Sequence, residues 1–217
     1  MNKQMKIRIV MSLSGVVICG ISVGIFKHAA LGVDPFQTLM SGLDAVLPIR
    51  FGTLYVFVNL ILLSFAFALD RSKIGLATFI NLFLLGYIAE GSQAFCVRLF
   101  PEQTIVSRII LLLTAIVLLC LASSLYFTAD LGVSTYDAVS LIWSERQKRI
   151  PFSVCRIITD LICVSAGIVL CRAAGMTWME VTGTVGIGTI VTAFFMGPLI
   201  TWFNQKISTP LLGEKQQ

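Results

Sequence analysis

Leu31-Gly32-Val33-Asp34-Pro35-Phe36-Gln37 returns 100 residues later as Leu131-Gly132-Val133-Ser134-Thr135-Tyr136-Asp137. Both copies read as the start of a short helix. Asp34 or Ser134 stands at the N-cap, where a side-chain oxygen accepts from a backbone N–H that the first turn leaves without a partner. Pro35 suits the first helical position, since its missing N–H has no intrahelical acceptor there anyway. Gln37 and Asp137 fall three residues after the cap, the spacing of a capping box. Gly32 and Gly132 permit a sharp turn just before it. Each copy lies between two long apolar segments. Polar helix starts in matched places of two halves point to a binding site in a membrane protein.

The composition around the motifs sets the class. Of 217 residues, 57% are hydrophobic and only 12% charged, and the mean hydropathy is +0.91. Soluble domains are far less apolar. The apolar residues form runs of bilayer-spanning length: roughly Ile7–Phe26, Phe51–Leu69, Ile74–Phe95, Ile105–Phe127, Phe152–Leu170 and Trp178–Phe203. The chain reads as one all-α polytopic membrane domain (1–217). Its net charge of +5 fits Lys and Arg in cytoplasmic loops, with the lipid bilayer as partner and no nucleic acid. The run after Lys3, Lys6 and Arg8 is too long for a signal-peptide core and lacks a small-residue cleavage site, so an uncleaved first helix is expected. The six cysteines form no CxxC pair and pack as small hydrophobes. The stretch 204–217 reads as a polar, frayed cytoplasmic tail.

The doubling extends past the motif. Phe51, Asn59 and Leu60 line up with Phe152, Asp160 and Leu161, and Gly86 with Gly188. Repeats over about 7–97 and 104–203 each hold three long helices and one short one. Gly20 and Gly24 correspond to Cys120 and Ser124, small residues that let helices approach closely. The short segments, Pro35–Leu47 and Thr135–Glu145, reach only ~20 Å against ~30 Å of hydrocarbon, which favours re-entrant or interfacial helices. Three crossings per half is odd, so the repeats are expected to be inverted. Charge does not choose between six and eight crossings. With six, Lys3, Lys6, Arg8, Arg71, Lys73, Arg146, Lys148, Arg149, Arg156, Lys206 and Lys215 lie inside. With eight, Arg50, Arg98 and Arg108 replace Arg71 and Lys73. Either count satisfies the positive-inside rule, with both termini cytoplasmic.

The two Leu-Gly-Val motifs with their polar caps, the following Phe-Gln-Thr-Leu-Met-Ser-Gly-Leu and Tyr-Asp-Ala-Val-Ser-Leu, and Gly75-Leu76-Ala77-Thr78-Phe79-Ile80-Asn81 together resemble the YczE/YyaS/YitT family of bacterial membrane proteins. The resemblance runs from about Gly15 to Phe203, with Thr135 standing where the first copy has Pro35. It implies a multi-pass protein of the bacterial inner membrane and names no substrate.

Function therefore rests on side chains. Asp160 lies near the centre of a long apolar segment, where a carboxylate is costly unless paired or functional. Arg156, one turn earlier, can meet it on the same helix face. Asn59 occupies the equivalent place in the other half. Glu90 marks a helix end, Glu180 an interface, and His28 a loop. No HExxH, nucleophile elbow or Walker loop occurs, so neither an enzyme nor a cofactor is expected. One histidine also builds no usual zinc site. The leading expectation is a small-molecule transporter or permease with a midplane site between the repeats. Its candidate substrate-binding residues are Asp34, Gln37, Asn59, Ser134, Asp137, Arg156 and Asp160. The small polar ligand would carry a cation, facing Asp34, and a polar or anionic part. The rival is a non-transporting membrane subunit or assembly factor, in which Asp160 and Asn59 are fully satisfied and no cavity exists.

Overall fold

A bilayer admits backbone only where its polar groups are bonded internally, and the described chain is helical throughout. The computed structural model describes residues 3–71, 74–147 and 152–213. The helices are α1 (Lys3–Ala29), α2 (Pro35–Val46), α3 (Phe51–Leu69), α4 (Leu76–Leu99), α5 (Ile105–Ala129), α6 (Thr135–Gln147), α7 (Phe152–Ala173), α8 (Trp178–Thr184), α9 (Ile187–Phe203) and α10 (Thr209–Leu211). Among the described residues, six stretches are long and apolar enough to cross a bilayer: α1, α3, α4, α5, most of α7, and α8 continuing into α9. Large hydrophobics such as Phe57, Ile61, Phe65 and Phe194 point outward. The chain is a helical membrane protein.

α1 is the central helix. Half of its apolar span is buried, against 22–33% for the other five. It runs antiparallel to α5. The Arg8 guanidinium near the start of α1 donates to the Ala129 carbonyl at the end of α5 (3.0 Å). Midway, the Ser22 hydroxyl donates to the Ala115 carbonyl (2.7 Å). At the far end Arg108 donates to the carbonyls of Ala29 (2.7 Å) and Ala30. Each arginine thus caps the other helix's C-terminus, where unpaired carbonyls and the helix dipole favour a cation. α4 runs parallel to α1: Gly20 lies against Leu85 and Ile88, Gly24 against Ser92, and the Ser92 hydroxyl bonds the Ile21 carbonyl (3.0 Å).

Expected as one helix, Trp178–Phe203 is two. The cause is the first motif. Its Gly32 and Val33 N–H groups donate to the carbonyls of Gly183 (3.0 Å) and Thr184 (2.9 Å), while Gly188 N–H donates to the Leu31 carbonyl (2.8 Å). The break leaves carbonyls that the motif then satisfies, the condition under which helices are interrupted in a membrane. The second motif docks likewise on the start of α4. Ala77 N–H bonds the Leu131 carbonyl (3.0 Å), and the Thr78 hydroxyl bonds that of Val133 (2.7 Å). Gly75 and Gly186 are the matching N-caps, each with its N–H bonded to a threonine hydroxyl, Thr78 or Thr189, at 3.2 Å. This pairing corrects the alignment of Gly86 with Gly188: Gly188 matches Ala77.

The tail also departs from expectation. Residues Asn204–Ser208 form a π-helical turn against α5, with Asn204 bonded to Thr128 (3.1 Å) and Ser208 to Ser124 (2.5 Å). Leu212 is buried beside Met11 and Leu125. A few well-placed polar groups and one leucine dock what the composition reads as frayed. Residues 214–217 of that expected tail, and Lys73, Lys148, Arg149 and Lys215 of the charge count, lie outside the described residues. His28 belongs to the last turn of α1 rather than a loop. Glu90 is no mere end marker. It accepts from Arg50 (2.8 and 3.0 Å) and from Gly52 N–H (3.3 Å), fastening α4 to the start of α3.

Candidate functional site

Both short helices begin as their motifs dictate. Gly32 and Gly132 sit at φ +103° and +104°, the left-handed region that glycine enters without strain. The Asp34 carboxylate accepts from Gln37 N–H (3.2 Å), and the Ser134 hydroxyl from Asp137 N–H (3.0 Å). Neither start closes the expected capping box. The Gln37 side chain does not return to the cap, and the Asp137 carboxylate instead accepts a hydrogen bond from the Ser134 hydroxyl (2.6 Å).

The two starts converge. Phe36 and Tyr136, the second residue of each short helix, stack with ring centroids 4.9 Å apart and planes 23° from parallel. Tyr55 meets Phe36 edge-on at 5.9 Å. From there the helices part. α2 leads by a short link to the start of α3, whereas the last turn of α6 reaches its end, with Arg146 bonded to the Leu69 carbonyl (3.3 Å). Two helices therefore start side by side in the interior and leave toward opposite ends.

Around this meeting point lies a cavity of about 530 Å³. It has the size and the mixture of apolar, aromatic and few polar walls of a small-molecule site. Both halves contribute. Asp34, Gln37, Asn59, Ser134, Asp137, Arg156 and Asp160 all line it.

That overlap of motif and cavity gives the comparison with known proteins its interest. Residues 6–205 match the model of a family described as "Family of unknown function (DUF6198)". The chain belongs to the DUF6198 family. It is also similar to the Uncharacterized protein YyaS of Bacillus subtilis (strain 168), with 24% identity over 204 residues, 94% of this chain and 95% of that protein. No solved structure matches.

Within this DUF6198 chain the seven candidate residues divide into a satisfied group and an open one. The satisfied group surrounds the α6 start. On α7, Arg156 bonds Asp160 one turn later (3.1 Å) and, across the helix interface, Asp137. The Tyr136 hydroxyl donates to Asp160 (2.5 Å), and the guanidinium lies 4.5 Å from the Tyr136 ring. The expected Arg156–Asp160 pair is therefore part of a larger set that includes Asp137. Asn59 is satisfied too, donating to the Tyr55 carbonyl (2.8 Å) and accepting from the Thr135 hydroxyl.

The open group is at the α2 start. Asp34 makes no ion pair among the described residues, the cation acting on it, Arg156, lying beyond contact distance. Gln37 is only 4% exposed, yet its Oε1 has no hydrogen-bond partner there, and neither has the buried Tyr126 hydroxyl on the cavity wall. The aromatic wall of Phe36, Tyr55 and Tyr136 was not among the residues expected. Its sequence signal is the match of Phe36 with Tyr136 inside the doubled motif. No group of three or more metal-ligating side chains occurs among the described residues.

Proposed function

We propose that this DUF6198 protein is a small-molecule transporter, with its site between two inverted repeats (about 7–97 and 104–203) near the middle of the bacterial inner membrane. One observation carries the reading: two helix starts converge on a cavity and depart toward opposite ends. Discontinuous helices of this kind form the sites of many transporters built from inverted repeats. The antiparallel α1 and α5, with Arg8 and Arg108 exchanging caps, support the inversion. In this reading α2 and α6 are re-entrant, the chain crosses six times, both termini are cytoplasmic and Gln103 is external. The broader YczE/YyaS/YitT grouping belongs to the same proposal, as does the view that the protein is no enzyme.

The rival, a packing subunit, draws support from Asn59 and Asp160, which are satisfied by protein groups. The cavity speaks against it. Site-directed thiol labelling separates the two without knowledge of the substrate. In a chain whose native cysteines are replaced, Ser123→Cys on the cavity wall is expected to react with impermeant reagents from either side of the membrane. Reaction from neither side favours the packing subunit. A cysteine at Gln103 is expected to label only from outside. Labelling only from inside would restore eight crossings.

A further inference from the structure

Resting on the reading of the cavity as a ligand site, we infer that its ligand is a small organic ammonium ion with N–H donors and an apolar body, bound at the α2 start. Three observations converge. First, the α2 start offers a carboxylate that makes no ion pair and a buried amide oxygen without a partner among the described residues. The Asp34 carboxylate is held by main-chain N–H and makes no ion pair, while Gln37 Oε1, on a residue 4% exposed, has no partner among the described residues. An unsatisfied buried acceptor is costly, and a ligand N–H removes that cost once the Gln37 amide turns its sealed oxygen toward the cavity. Second, the place is walled by aromatic rings, Phe36 stacked on Tyr136 and edge-on to Tyr55. Such rings cover apolar groups, and a free ring face attracts a cation; those of Tyr136 are already taken by Phe36 and Arg156. Third, the α6 start shows how the fold holds a cation: Arg156 lies between Asp137 and Asp160 and over the Tyr136 ring. At the α2 start no cation among the described residues lies within ion-pair distance of Asp34, and Arg156 acts on it only from farther away.

The same contacts exclude other ligand classes. An anion would meet Asp34, Asp137 and Asp160 with the one guanidinium already engaged, so the anionic half of the expected ligand is dropped. A bare metal ion would find only the oxygens of Asp34 and Gln37, far short of the six or so that hard cations take. A cavity of about 530 Å³ is also far larger than an ion.

Purified full-length protein in lipid nanodiscs would be titrated calorimetrically with phenethylammonium, phenethyltrimethylammonium, phenethyl alcohol, 3-phenylpropionate and sodium ion. Phenethylammonium is expected to bind saturably, at least tenfold tighter than each of the others. Asp34→Asn, which keeps the cap, and Gln37→Leu are each expected to weaken it about tenfold or more. Gln37→Glu, which adds a charge to the same acceptor, is expected to strengthen it. Equal binding of the alcohol or the carboxylate, no saturable binding of the amine, or amine binding indifferent to both Asp34→Asn and Gln37→Leu overturns the inference. Proteoliposome flux of the amine tests the transport reading separately. Tight, Asp34-dependent binding without flux keeps the amine site and removes the transporter.

Discussion

The α2 and α6 starts share a backbone and differ in what satisfies them. Both have a glycine at φ just above +100°, an oxygen cap and an aromatic residue facing the other. Their acids are exchanged. The first has its carboxylate at the cap, Asp34, and an amide three residues on. The second has a hydroxyl at the cap and its carboxylate, Asp137, three residues on. A carboxylate at the later position is within reach of Arg156, so the second start closes on itself. At the cap, Asp34 hydrogen-bonds only within its own helix among the described residues and lines the cavity. One duplicated element has become a structural knot in one half and an open socket in the other.

The backbone they share is where the comparison breaks most severely. At Gly32 or Gly132, an added Cβ would run into main-chain atoms of Gly186 or Gly75. To that collision is added roughly 1–2 kcal/mol for left-handed backbone. Gly32→Ala and Gly132→Ala are both expected to abolish monodisperse folded protein by size exclusion. Gly175→Ala, at φ +82° with open space around it, carries only the backbone cost and is expected to fold. If all three variants behave alike, docking of the motifs on α4 and α9 is not what makes those glycines necessary.

Charge removal then sharpens the difference. Arg156→Gln strips Asp137 and Asp160 of their cation together, at about 3–5 kcal/mol by analogy with broken buried pairs, and is expected to lower Tm sharply. Arg156→Gln with Asp160→Asn still leaves Asp137 unpaired. Only the triple change that adds Asp137→Asn is expected to recover a clear part of the loss. Should the double variant recover as much as the triple, Asp137 does not share the guanidinium.

A smaller effect is expected from Ser134→Ala. It removes a cap, typically about 1 kcal/mol, and the hydroxyl that Asp137 accepts. A Tm drop of a few degrees in thermal unfolding is the result to look for. Smallest is Asp34→Asn, since Asn and Asp cap about equally well. Its unliganded Tm is expected to stay within about 2 °C of the parent, as ~0.5 kcal/mol is worth little in a chain this long. A drop as large as that of Arg156→Gln would mean that Asp34 has a structural partner, and the socket would be lost.

Much of this site is legible along the chain because its signals are local. Asp34 and Ser134 announce themselves by the glycine before and the spacing after, and Arg156 and Asp160 by one helical turn. Asp137 as a second partner of Arg156 is not legible. The two meet across α6 and α7, and only packing sets which rotamers face. The same holds for Glu90 and Arg50, forty positions apart, and for Arg8 and Arg108, whose shared role depends on α1 lying antiparallel to α5. The break at Gly186 is hidden for another reason. Gly183, Gly186 and Gly188 read equally well as close-packing residues, and what interrupts the helix is the backbone of Leu31–Val33, more than 150 residues earlier.

The sequence by itself determined the class of protein, the number of apolar spans and where the two short helices begin. Hydropathy over some twenty residues and capping over four are short-range properties that the chain carries whatever surrounds it. Only the tertiary structure decided helix direction, the meeting of Phe36 with Tyr136, and which helix start is closed and which open. Those outcomes depend on groups brought together from distant parts of the chain. In a medium that supplies no hydrogen bonds, a polar group is satisfied or left open by whichever neighbour the fold provides.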